Sequence, residues 1–124
     1  MKKTIKVGII GLGNIGYRYT LDPLRTWVSS HLEAYRQDSE FECVAFCDRD
    51  TARLQEAKRF YPSADPFTDW RLMLTRQPSL DLLTICVSPE LNYEFCLSSF
   101  PSYPKVVVFE KPFCENPELG HLMR

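Results

Sequence analysis

Lys111 stands in a Glu110-Lys111-Pro112 triplet directly after the apolar run Val106–Phe109, late in a chain of 124 residues. A lysine so placed could orient a hydroxyl group and help its proton leave. A positive charge nearby disfavours the ammonium form and brings the amine toward a useful pKa. Taken alone, however, a lysine in a turn reads as a solvated surface residue. What raises it above that is a second motif, Gly11-Leu12-Gly13-Asn14-Ile15-Gly16, directly after the apolar run Ile5–Ile10. In such a turn Gly11 permits the sharp bend, Gly13 lets the backbone approach a pyrophosphate, and Gly16 lets helix and strand pack closely. Asn14 and Ile15 sit where the following helix opens, and free amides and a positive dipole end favour phosphate there. A bare GxGxxG is often only structural. A buried strand before it and a helix after it make dinucleotide binding the stronger reading.

Five further positions belong to the same constellation. Asp48 follows the apolar run Phe41–Cys47, and its carboxylate could accept hydrogen bonds from the adenosine ribose hydroxyls, which favours NAD. Its rival role is a helix cap for the segment that begins at Asp50. Arg49 points the other way, because an arginine there could pair with the 2′-phosphate of NADP. Ser88-Pro89 follows another apolar run, residues 82–87, and Glu110 itself precedes the lysine. One spacing departs from expectation: Gly16 to Asp48 is 32 residues, where about 20 is usual. The surplus falls in residues 17–30 (YRYTLDPLRTWVSS), whose Asp22-Pro23 interrupts the first helix. That reads as a loop inserted between the glycine turn and the helix body.

These residues can meet only if the apolar runs are parallel strands, since all strand carboxyl ends then share one edge. The pattern supports this, because apolar runs alternate with helical stretches. Strands are expected at Ile5–Ile10, Phe41–Cys47, residues 82–87 and residues 105–109, with a short extended piece around Phe67. Helices are expected at Thr51–Phe60, where Ala52, Leu54, Ala57 and Phe60 share a face, and near residues 69–76 behind a Thr68 or Asp69 cap. Another should run from Pro89, suited to a first turn, to about Phe100. Asn116-Pro117-Glu118 then reads as a helix start with only about two turns to follow. The expected fold is α/β, a Rossmann-type doubly wound parallel sheet with helices on both faces. Residues 1–124 are expected to form one NAD(P)-binding domain, truncated at its C-terminal side.

Composition narrows the partners. With 15 basic and 16 acidic residues and a net charge of −1, no basic excess exists to neutralise nucleic-acid phosphates or an anionic membrane. No segment approaches the roughly 20 apolar residues of a membrane span, and no leader pattern opens the chain. A cytoplasmic protein is expected. The five cysteines contain no CxxC pair. Free buried thiols in a reducing compartment are expected, with no metal site.

The glycine turn GLGNIG, the strand-to-acid CDRD, the segment ICVSPELNYEFC and the late FEKP resemble the glucose–fructose oxidoreductase / inositol dehydrogenase family (Gfo/Idh/MocA). The likeness covers almost the whole chain and corresponds to that family's N-terminal cofactor domain. It implies that Lys111 is the catalytic and cofactor-contacting lysine, and that Ser88-Pro89 takes the place of a Thr-Pro turn beside the cofactor. It further implies NAD, with NADP the alternative, and hydride transfer to or from a sugar, polyol or sugar-derived alcohol. Tyr93 departs from the family, which commonly has a histidine there. The family's second domain closes the substrate site and often supplies the dimer contact, so substrate binding is expected only with that domain, and a homo-oligomer is left open. His31, at the end of the insertion, reads as a surface or capping residue. Two rivals remain: a non-catalytic NAD(P)-sensing regulatory module of the same fold, and a different Rossmann reductase, against which the Ser-Pro and Glu-Lys-Pro pair argues.

Overall fold

The computed structural model of the chain describes residues 3–13, 16, 21, 24, 30–87, 89–98 and 103–110. Five strands, β1 (Ile5–Ile10), β2 (Phe41–Cys47), β3 (Asp65–Phe67), β4 (Leu82–Ile85) and β5 (Val106–Phe109), form one sheet in the order β3-β2-β1-β4-β5. Every neighbouring pair is parallel. Among the described residues four helices, α1 (His31–Gln37), α2 (Thr51–Phe60), α3 (Trp70–Arg76) and α4 (Pro89–Leu97), lie between them. The strand order reverses between β1 and β4, which is the switch point where ligands bind in open α/β sheets.

Alternation along the strands divides the core in two. Val7, Ile9 and Phe46 pack with Leu32 of α1 and with Leu54 and Ala57 of α2. Ile10, Ala45, Leu83 and Ile85 pack on the other face with Trp70, Met73 and Leu74 of α3 and Phe95 of α4. The Trp70 and Phe95 rings lie 5.7 Å apart in a tilted arrangement. Each fully buried side chain of this size contributes about 1.5–3 kcal/mol. The register of β1 on β2 jumps from Val7↔Cys43 to Gly8↔Ala45, so Val44 is an extra residue in β2. The bulge reverses which face later residues occupy: Phe41 and Cys43 join the first core, whereas Val44 and Ala45 join the second. It thereby sets how Cys47 and Asp48 emerge at the carboxyl edge.

Most element bounds agree with the pattern in the sequence, and the differences have local causes. β4 ends at Ile85 rather than at residue 87. Its neighbour β1 turns away at Gly11, so Cys86 donates a last amide bond to Ile10 and Val87 has no strand beside it. α4 ends at Leu97, three residues short of Phe100. Ser98 closes it, with both its amide and its hydroxyl donating to the Phe95 carbonyl. β5 begins at Val106, one residue later than expected. Asp69, not Thr68, caps α3 by accepting from the Arg71 amide. The helix start at residues 116–118 lies outside the described residues. Among those described, no helix is long and apolar enough to cross a membrane, and no group of His, Cys, Asp or Glu could hold a metal ion.

Candidate functional site

The glycine turn leaves β1 at the switch point, and its three glycines differ in what surrounds them. Gly11 has φ +98°, a backbone state that L side chains rarely adopt, and a Cβ there would lie 2.6 Å from the Cys86 carbonyl oxygen. A Cβ at Gly16 would lie 2.1 Å from the Gly11 carbonyl oxygen. Gly13 is the opposite case, since a Cβ there would meet nothing within 4 Å. Two glycines are therefore demanded by the turn itself, and the third keeps open the side from which a pyrophosphate would approach. Asn14 and Ile15 lie outside the described residues.

The insertion is resolved by a single hydrogen bond. The Leu32 amide donates to the Gly16 carbonyl at 3.0 Å. An α-helix makes that bond between residues four apart, whereas these are sixteen apart in the chain. Twelve residues are therefore extra, and removing them from the 32-residue spacing restores the usual 20 or so. The described helix begins at His31, and Ser30 caps it, its hydroxyl accepting from the Glu33 amide at 3.2 Å. Leu21, within the insertion, packs on the first core.

Asp48 lies directly beside the glycine turn. Its Oδ2 accepts from the Leu12 amide at 2.8 Å and its Oδ1 from the Asp50 amide at 2.8 Å. The helix-cap role belongs to Asp50, which accepts from the Ala52 amide at 2.9 Å. A carboxylate has about four acceptor positions, so Asp48 keeps capacity for ribose hydroxyls. Arg53, which sequence reasoning passed over, approaches Asp48 at 3.7 Å and Asp50 at 3.6 Å. The only signal for it was its place three residues after the cap. Gly11, Asp48, Arg49, Arg53, Trp70 and Val87 all line one open cleft of about 520 Å³. Arg71 crosses its mouth, 4.5 Å over the Trp70 ring and 3.8 Å from Glu94. The three arginines of this cleft face three acids, Asp48, Asp69 and Glu94, so it carries no large net charge.

Beyond the switch point, the carboxyl end of β5 carries Glu110, whose amide still donates to the Ile85 carbonyl at 3.0 Å. Its Oε1 meets Nε2 of His31, and both side chains are about one quarter exposed. The His31 ring stacks on Tyr35, with centroids 6.3 Å apart. The Tyr35 hydroxyl is bonded in turn to Thr84 Oγ1 of β4 at 2.6 Å. Burial pushes the Tyr35 hydroxyl above its ordinary pKa, the Thr84 bond opposing. His31 is the second residue that sequence reasoning did not place in the site. Nothing local marks it, because its partner is 79 residues away. Pro89 begins α4. Ser88, Lys111 and Pro112 lie outside the described residues.

A thiol sits at each side of this edge. Burial pushes Cys47 up to about 12, with the Asp48 charge adding to it, and pushes Cys86 up to about 12, with Glu110 adding. Cys43, deeper in β2, is also raised to about 12 by burial. These are protonated small hydrophobes at neutral pH and not nucleophiles. The four cysteines among the described residues are all free.

Residues 5–123 match the family described as "Oxidoreductase family, NAD-binding Rossmann fold" (GFO_IDH_MocA). Among solved structures, a dehydrogenase from Chromobacterium violaceum is 27% identical with a TM-score of 0.73, covering 98% of this chain and 32% of its own. The WlbA dehydrogenase of Bordetella pertussis, solved with NADH and UDP-GlcNAcA, is 25% identical at TM-score 0.69, with 98% and 33% covered. The myo-inositol 2-dehydrogenase of Lactobacillus plantarum is 22% identical at TM-score 0.70, with 98% and 32% covered. The chain thus spans about a third of the length of these proteins. No curated protein matches it by sequence.

Proposed function

The chain belongs to the Gfo/Idh/MocA oxidoreductase family, and from that premise we propose that it is the cofactor-binding part of an NAD(P)-dependent enzyme acting on a sugar, polyol or sugar-derived alcohol. The observation that carries this reading is the open side of the glycine turn at Gly13, set at the switch point between the Asp48 and Glu110 corners. The residues fit a dinucleotide: an open approach at Gly13, where a Cβ would meet nothing within 4 Å, and a carboxylate with spare acceptor capacity beside it. Gly11, Gly13, Asn14, Ile15 and Gly16 would hold the pyrophosphate, and Asp48 the adenosine ribose. Ser88, Pro89 and Glu110 would border the other half. When bound, nicotinamide supplies the carbon that takes or gives the hydride.

Lys111 would orient the substrate hydroxyl and hold its proton while the C–H bond breaks, so that alcohol becomes carbonyl as hydride leaves. Arg49 lines the same cleft as Asp48. The Asp48 charge opposes a 2′-phosphate, and Arg49 would offset part of that, leaving a modest preference for NAD. The substrate pocket requires a second domain, and the sugar-nucleotide and inositol chemistry of two structural neighbours supports an alcohol substrate of that class.

Calorimetric titration of the folded chain with NAD and with NADP tests the reading. Saturable binding is expected, and stronger for NAD. A folded sample that saturates with neither would overturn it, and a tenfold preference for NADP, about 1.4 kcal/mol, would transfer control of the ribose site to Arg49.

A further inference from the structure

We infer that His31 is a positioning residue for Glu110, holding it so that the carboxyl edge of the sheet on the far side of β1 from Asp48 is ordered for nicotinamide. The inference rests on the dinucleotide reading above and adds to it the assignment of a residue to the nicotinamide half. Four observations place His31 there. The Leu32–Gly16 bond fixes the start of α1 directly on the glycine turn, and His31 is the residue before Leu32. Ser30 caps that first turn and so sets its direction. The ring is backed by Tyr35, itself tied to Thr84 of the central sheet. Glu110 projects from a backbone still bonded to β4 through the Ile85 carbonyl, so both ends of the contact come from rigid elements.

The geometry also separates this contact from an ordinary surface pair. Both side chains are mostly shielded, at 23% and 26% exposure, where a charge-assisted hydrogen bond is stronger than in open water. It joins the first βα unit to the last strand, and the next residue in the chain is Lys111. In the strand order, Asp48 follows β2 on one side of β1 and Glu110 follows β5 on the other. A dinucleotide laid across the switch point with adenosine at Asp48 therefore extends its other half toward Glu110.

The test compares NADH with ADP-ribose, which carries the adenosine and pyrophosphate but no nicotinamide. Both are titrated into the wild-type chain, His31→Ala, His31→Gln, Glu110→Ala and the His31→Ala/Glu110→Ala pair, with circular dichroism checking the fold. His31→Ala and Glu110→Ala should each weaken NADH by about tenfold and leave ADP-ribose within about twofold. The double variant should be little worse than either single one. His31→Gln, whose amide can donate to Glu110 at similar reach, should recover most of the affinity, and it keeps the test readable should His31→Ala fail to fold. Equal weakening of both ligands would assign His31 to the fold alone, and an unchanged NADH affinity would remove it from the site; either overturns the inference. A wild-type chain that binds neither ligand would overturn the dinucleotide reading instead.

Discussion

Asp48, after β2, is held by the backbone amides of Leu12 and Asp50, whereas Glu110, after β5, is held by the side chain of His31. Both acids stand at the carboxyl edge of one sheet, on opposite sides of β1. The first is built from the glycine turn it serves and from its own helix entry. The second depends on α1, whose start is set on the glycine turn by the Leu32–Gly16 bond. Backbone amides at a turn cannot be removed by a side-chain substitution, so the Asp48 corner is robust to mutation of its partners. The Glu110 corner hangs on one ring and is correspondingly easy to perturb.

The largest expected effect lies at the Glu110 corner. In a form of the protein that carries a substrate domain, Lys111→Ala should lower kcat by about 10²–10⁴-fold and leave the dissociation constant for NAD nearly unchanged. Near-normal turnover would return Lys111 to the class of surface lysines and leave the two corners chemically alike.

Next in size is the glycine turn between them. Gly16→Ala forces a Cβ toward a backbone carbonyl at 2.1 Å, and overpacking of this kind should cost about 3 kcal/mol in urea denaturation. Gly13→Ala places its Cβ in open space, so stability should hold while NAD affinity falls. If Gly13→Ala destabilises the fold and spares binding, the assignment of the open side to the pyrophosphate is wrong.

At the Asp48 corner, Asp48→Ala should weaken NAD by about tenfold, or about 1.4 kcal/mol, and weaken NADP less. The loss combines a missing ribose acceptor with release of the Leu12 amide. Comparing Asp48→Ala with Asp48→Asn separates the two, because Asn keeps an acceptor but not the charge that opposes a 2′-phosphate. Identical losses for NAD and NADP would make Asp48 a support of the turn and nothing more.

A pH dependence is shared by both corners. Cys43, Cys47 and Cys86 hold their protons up to about 12 in the fold, while unfolded thiols release theirs near 9. Between those values the unfolded chain binds fewer protons, so stability should be intact below about pH 9 and decline as pH rises toward 12. Urea midpoints at pH 8 and pH 10 would show it, and a thiol reagent at pH 8 should label these cysteines only on unfolding. Rapid labelling of Cys86 in the native chain would mean that the Glu110 corner is open to solvent.

Much of this molecule was legible in the chain because it depends on neighbours in sequence. The strands Ile5–Ile10 and Phe41–Cys47 and the helix Thr51–Phe60 follow from apolar spacing and from breakers beside them, and their bounds agree residue for residue. The sharp bend at Gly11 and the close approach at Gly16 are steric requirements that only glycine meets, so their spacing announced the turn. The surplus of residues 17–30 was visible as a count, although only the Leu32–Gly16 bond showed how closely its two ends meet.

What tertiary structure alone decided is which distant groups became partners. The Val44 bulge is a register shift between strands and has no marker in either strand taken singly. Asp48 could cap a helix or serve the glycine turn, and the choice fell to the turn because β1 and β2 lie side by side and bring the Leu12 amide within 2.8 Å. His31 had no local reason to be more than a surface residue. It meets Glu110 because the sheet order sets β5 beyond β4, and because α1 begins at the one height where its first side chain reaches that strand's end. Local sterics and periodicity act over a few residues and can be read along a chain. A hydrogen bond between residues 79 apart exists only once the elements that carry them have packed.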